Sequence, residues 1–124
     1  DPCRSRGLGD VYKRQHEDDM NKILERLDLT IQRKTTESPN QSHTAKLLKK
    51  GTEKCAEKFG EEAIELIVAS VKKKKKEIIG EAADALYHML VLLRSKNISI
   101  NEVLSELASR EGISGIEEKR KRNL

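Results

Sequence analysis

The stretch from about Glu77 to Ser95 constrains this chain more than any other, because it is apolar almost all the way round a helix and yet carries an acidic stripe. Ile78, Ile79, Ala82, Ala83, Ala85, Leu86, Met89, Leu90, Val91, Leu92 and Leu93 point in nearly every direction of a helical wheel. A helix of that kind is normally buried on most sides. Glu81, Asp84 and His88 nevertheless fall within one stripe about 60° wide on the same wheel. Ionised carboxylates buried without a partner cost several kcal/mol each. A salt bridge is the ordinary remedy, but the stretch holds no basic residue between Lys76 and Arg94.

A second long helix is predicted just before it, from about Thr52 to Val71. Lys54, Lys58, Glu61, Glu62 and Glu65 form its polar stripe. Cys55, Phe59, Ala63, Ile64, Leu66, Ile67 and Val68 cover most of the rest. That arc is wider than a helix lying on a single core needs, and in so short a chain it points to a partner subunit. Glu62 and Glu65 are three apart, as are Glu81 and Asp84, so each pair shares a helix face. If the two helices pack side by side, the carboxylates converge. Gathered carboxylates repel and lose hydration unless a counter-charge is supplied. Mg2+, a hard cation that prefers oxygen ligands, supplies it. Ordinary surface charge is the competing reading for Glu61, Glu62 and Glu65, and a hydrogen-bonded core histidine the competing one for His88.

The remaining segments are simpler. Asp1 to Gln15 has no periodicity and reads as a disordered arm or a translated cloning remnant. A helix is expected from Asp18, with Met20, Ile23, Leu24, Leu27 and Ile31 at helical spacing. Thr35 to His43 is a loop marked by Pro39-Asn40, and Thr44 to Lys50 a short helix that Gly51 ends or kinks. The run Lys72 to Lys76 marks a solvated turn. Ser99 and Glu102 have capping-box spacing for a last helix reaching about Arg110, and residues 112–124 read as a tail. The domain therefore spans residues 16–111, and the fold class is all-α, with four to five helices in a bundle-like arrangement completed by homodimerisation.

Only three residues are aromatic, the two Tyr and one Phe, which argues against a β-sandwich. No apolar run is long enough to span a membrane. The two cysteines are too few for a disulfide scaffold, and Cys55 reads as a buried thiol. A cytoplasmic location is expected. The formal net charge of +4 belongs to the two ends, and the body between residues 16 and 116 is balanced, which argues against nucleic acid as the partner.

The segments TAKLLKKGTEKCAEKFGEEAIELIVAS and EIIGEAADALYHMLVLL, with the GISGIEEK tail, resemble the phosphoribosyl-ATP pyrophosphohydrolase family of histidine biosynthesis. That family is part of a wider all-α nucleoside triphosphate pyrophosphatase group that includes the MazG proteins. The resemblance covers about Asp18 to Lys119. It implies a Mg2+-binding homodimer in which Glu62, Glu65, Glu81 and Asp84 match the metal ligands, with Glu61 adjacent as ligand or base. His43 stands where many members carry an aromatic residue, Gly80 where an acidic one is common, and the lysine run where the turn is shorter.

The implied reaction is hydrolysis of phosphoribosyl-ATP, a small-molecule nucleotide, to phosphoribosyl-AMP and pyrophosphate. Glu61 or Glu62 is the expected general base. Lys54 and Lys58, on the same stripe as the glutamates, and Lys46 before them, are expected to hold phosphate oxygens, with His88 and Tyr87 facing substrate. No Walker-type glycine loop is present. The rival enzyme reading is a house-cleaning pyrophosphatase acting on free nucleoside triphosphates. A helical nucleic-acid-binding module is the remote one, and it leaves Glu81 and Asp84 without a purpose.

Overall fold

The computed structural model describes Met20 and residues 22–111. Expectations for Asp18, Asp19, the arm at residues 1–15 and the tail at 112–124 lie outside the described residues. Within them the chain forms five helices, α1 (Ile23–Lys34), α2 (His43–Lys50), α3 (Thr52–Lys72), α4 (Lys75–Ser95) and α5 (Ile100–Arg110). No strand occurs among the described residues, so the all-α expectation holds. Among the described residues no helix is long and apolar enough to cross a membrane.

The architecture is organised on the α3–α4 hairpin. Each of these helices has 21 residues, about 30 Å of length at 1.5 Å per residue. Lys73 and Lys74 alone separate them, both extended, so the lysine run is a tight turn with its last members already helical. The Glu77 side chain accepts from the Lys74 backbone N–H at 3.2 Å and stops α4 from fraying there. At the far end of the hairpin Ser95 Oγ donates to Thr52 Oγ1 at 3.1 Å. These two ends set an antiparallel register that brings Glu62 opposite the Glu81–His88 segment.

α1, α2 and α5 gather at the open end of the hairpin. Ile31, Cys55, Leu90, Val91 and Ile100 form the buried centre, with Leu24, Leu27, Leu47, Leu48, Tyr87, Leu92 and Val103 packed around it. Each such aliphatic side chain contributes about 1.5–3 kcal/mol when fully buried. The turns into this core are sharply made. Gly51, the single residue between α2 and α3, has φ +101°, a conformation glycine adopts without strain. After α4, Asn97 takes φ 57°. There the Ile98 N–H reaches the Leu93 carbonyl at 2.9 Å and the Asn97 N–H the Arg94 carbonyl at 2.8 Å, a Schellman closure. The expected back-reach at α5 is made, with Glu102 accepting from the Ser99 N–H at 2.8 Å.

Asp28 supplies a buried cross-link that local patterning does not suggest. Its Oδ2 accepts from Arg94 Nη2 at 3.0 Å and from the Ile100 N–H at 2.9 Å. A buried carboxylate on α1 thus pairs with α4 and caps α5.

Burial of α4 differs from its all-round apolar sequence. Its C-terminal half is in the core, but Ile79 is 59% and Leu86 39% exposed. On α3 the matching positions Ile64, Ile67 and Val71 are 62%, 62% and 79% exposed. The closed end of the hairpin thus carries a broad apolar face that no described element of the chain covers.

Candidate active site

The site lies midway along the hairpin. Glu62 projects from α3 towards α4, while Glu81 and Asp84, three residues apart, project from the same side of α4. One carboxylate oxygen from each lies within 4.8 Å of the others. The register that makes this possible comes from the two-residue turn, since a slip of one residue would rotate Glu62 off the shared face.

Burial among these carboxylates is the reverse of what the sequence suggests. Glu81 and Asp84 are expected to be the enclosed pair and Glu62 to pass for surface charge. Instead Glu62 is buried at 8% exposure, Glu81 is half-buried and Asp84 is exposed. The cause is packing rather than composition. Glu62 sits at the α3–α4 contact, whereas the N-terminal half of α4 runs along the uncovered end of the hairpin. Glu81 Oε2 is nonetheless buried with no hydrogen-bond partner among the described residues.

Charge is balanced unevenly across the cluster. Lys58 Nζ lies 3.1 Å from Glu62 Oε1 and 3.8 Å from Glu61 Oε2. The pair forms even though lysine precedes glutamate, the weaker order on a helix. Its hydrogen bond holds the Glu62 carboxyl below the ordinary carboxylate range and pushes the Lys58 ammonium up. Glu65 is exposed, and the negative charge of Glu62, with a smaller contribution from Glu81, raises its proton affinity. Glu65 therefore feels Glu62 and Glu81, although among the described residues the group within ligating range is Glu62, Glu81 and Asp84.

Beside the carboxylates opens a cleft of about 380 Å³ lined by His43, Thr44, Lys46, Leu47, Lys50, Lys58 and His88. Its size is within the ordinary range for small-molecule sites. Burial pushes the His88 imidazole below its usual value, against the opposing pull of Glu62 and Asp84. Its Nδ1 is buried without a partner among the described residues. The His88 ring packs edge-on to Tyr87, with centroids 5.5 Å apart. The Tyr87 hydroxyl and Thr44 Oγ1 share a hydrogen bond of 2.6 Å that fastens α2 to α4.

Lys46, Lys58 and His88, three of the expected substrate-binding residues, are thus brought together. Lys54 is not among them; its Nζ lies 3.1 Å from Glu57 on an exposed face of α3. Glu61 is exposed beside Lys58. Sequence reasoning missed His43 and Lys50 as cleft residues. Their spacing with Lys46 along α2 was the available signal, since positions 43, 46 and 50 share one helical face.

Fold and site together define an all-α protein in which a helical hairpin sets an oxygen-rich carboxylate cluster against a basic cleft. The phosphoribosyl-ATP pyrophosphohydrolase family model matches residues 24–111. A phosphoribosyl-ATP pyrophosphatase of Dinoroseobacter shibae is 54% identical over 100 residues, covering 81% of this chain and 98% of the relative. Those of Paracoccus denitrificans and Ruegeria pomeroyi are 54% and 53% identical, over 80% and 78% of this chain and 92% of each relative. The chain belongs to the phosphoribosyl-ATP pyrophosphohydrolase family.

Proposed function

We propose that this chain hydrolyses phosphoribosyl-ATP to phosphoribosyl-AMP and pyrophosphate, in histidine biosynthesis, as a Mg2+-dependent cytoplasmic homodimer. The observation that carries the reading is the meeting of Glu62, Glu81 and Asp84 across the hairpin, in a chain 54% identical to a phosphoribosyl-ATP pyrophosphatase over nearly that relative's whole length.

The donor set fits a divalent ion. It consists of carboxylate oxygens alone, the ligand type hard cations take, and Glu81 Oε2 is a buried acceptor with nothing else to bind. Glu62, Glu81 and Asp84 would hold the ion, and Glu65, the fourth expected ligand, lies outside that group. When bound, the ion neutralises the triphosphate and stabilises charge on the departing pyrophosphate.

The chain's own residues do the rest. Lys58 presents its ammonium group to triphosphate oxygens as a point charge, Lys46 on α2 presents one to a substrate phosphate from the other side of the cleft, and Lys54 lies ready to join Lys58 if it leaves Glu57. His88 faces substrate from the cleft wall. A carboxylate at the rim accepts the proton of the attacking water. The Lys58 hydrogen bond ties up the buried Glu62 carboxylate, whereas Glu61 stands exposed at the rim where a water can reach it, which favours Glu61. Glu65, whose proton affinity is raised, is a further candidate for the same role.

The exposed apolar face at the closed end of the hairpin supports the homodimer, since a contiguous patch of that kind is seldom left in water. A substrate panel tests the reading. With Mg2+ present, pyrophosphate release is expected to be much faster from phosphoribosyl-ATP than from ATP, GTP or modified nucleoside triphosphates. Equal or greater turnover of the free triphosphates would overturn it in favour of a house-cleaning enzyme.

A further inference from the structure

We propose that the basic face of α2, made by His43, Lys46 and Lys50, seats the sugar phosphate at the far end of the substrate from its triphosphate. By doing so it sets the preference for a phosphoribosylated nucleotide over a plain one. The inference rests on the reaction proposed above and adds to it a division of the site into two anion-handling ends.

The division follows from how charge is distributed. His43, Lys46 and Lys50 stand on one face of α2 and all line the cleft. Lys46 and Lys50 are like charges one turn apart, an arrangement that destabilises an isolated helix. Neither makes an ion pair among the described residues, whereas the α3 lysines do, Lys54 with Glu57 and Lys58 with Glu62. No carboxylate lines the cleft. Its Lys58–His88 end borders the acidic cluster, and its α2 end is cationic only.

A substrate with two phosphate-bearing ends matches that polarity. The triphosphate belongs at the carboxylates, where a divalent ion makes its approach favourable. A sugar phosphate carries a compact dianion and brings no metal with it, so the carboxylates repel it and the α2 lysines attract it. Leu47 adds an apolar surface to the cleft. The 2.6 Å hydrogen bond between Thr44 and Tyr87 keeps α2 at a fixed distance from α4, so the spacing between the two ends is built in rather than adjustable.

The test uses two probes on the full chain: ribose 5-phosphate without metal, and pyrophosphate with Mg2+, each titrated by calorimetry or NMR. Wild type is expected to bind ribose 5-phosphate saturably. Lys46→Met and Lys50→Met, both at exposed side chains that folding does not need, are expected to weaken it about tenfold each. Binding of Mg2+–pyrophosphate is expected to stay within about twofold. With phosphoribosyl-ATP as substrate, the same variants are expected to raise KM and leave kcat nearly unchanged. Ribose 5-phosphate binding that is absent from wild type, or unchanged in both variants, overturns the proposal. Equal loss for both probes also overturns it, because α2 then grips the triphosphate. A wild-type chain that binds ribose 5-phosphate at α2 but releases no pyrophosphate from phosphoribosyl-ATP would count against the proposed reaction and against the phosphoribosyl assignment, leaving only a sugar-phosphate site.

Discussion

Replacing Asp28 with alanine should destabilise the fold more than any other single change to a charged residue outside the site. Asp28 and Arg94 side chains are only 6% and 8% exposed, and their contact is 3.0 Å. The same Asp28 oxygen holds the first N–H of α5 at 2.9 Å. Alanine leaves the Arg94 cation where water scarcely reaches it and frees the start of α5. Removing one partner of a buried ion pair costs about 3–5 kcal/mol, and losing a cap about 1 kcal/mol. Both contacts use one oxygen, so the losses overlap and the total should be about 3–5 kcal/mol. Domains are stable by only about 5–15 kcal/mol, so the change removes a large share. Urea unfolding followed by far-UV circular dichroism measures it. Asp28→Asn, which keeps an acceptor for Ile100, should cost less. Asp28→Leu combined with Arg94→Met should recover most of the loss, because no buried charge then lacks a partner. A cost for Asp28→Ala below about 1 kcal/mol, the worth of an exposed pair such as Glu106–Arg110, would refute this reasoning. So would a double variant no more stable than the single one.

Three further outcomes are expected. Gly51→Ala should lower stability by about 1–2 kcal/mol, because its φ of +101° strains any residue with a Cβ even though the surrounding space is open; unchanged urea unfolding would contradict it. His88 has its folded-state proton affinity lowered by burial. The unfolded chain therefore takes up that proton first, so stability is fully present above the unfolded value near 6.5 and declines as pH falls below it. His88→Gln should flatten that decline, as seen by unfolding at a series of pH values, and an unchanged slope would count against the assignment. Ile67→Glu, placed on the exposed apolar face of α3, should convert the proposed homodimer to monomer in light scattering after size exclusion. A wild-type chain that is already monomeric would remove the basis for the dimer.

How much of this was legible in the sequence depends on how local each feature is. The limits of α3 and α4, the stop at Gly51 and the Glu102 back-reach were readable because each rests on neighbours within a turn. The convergence of Glu62 with Glu81 and Asp84 was readable because spacing puts each carboxylate on a definite face. Which of them is buried was not, since a wheel gives direction on one helix and says nothing of what covers it. The uncovered closed end of the hairpin decides that question, and the sequence marks it only as an apolar arc too wide for one core. The Asp28–Arg94–Ile100 link joins residues up to 72 apart in the chain, beyond any local pattern. A signal did exist, because Asp28 lies on the Leu24–Ile31 apolar stripe of α1 and Arg94 interrupts an apolar run on α4. Charges on apolar faces at two places are candidates to meet.

The claim on which the account turns is that Glu62, Glu81 and Asp84 together hold the cation that the hydrolysis requires. Pyrophosphate release from phosphoribosyl-ATP, followed against Mg2+ concentration for wild type and for Glu81→Gln, tests it most directly. Glu106→Gln on the exposed face of α5 serves as the control. Wild type and control should require Mg2+, and Glu81→Gln should lose about 100-fold or more in kcat, the upper end of what even outer partners of a metal site are worth. Near-normal turnover by Glu81→Gln at the same Mg2+ concentration would contradict it.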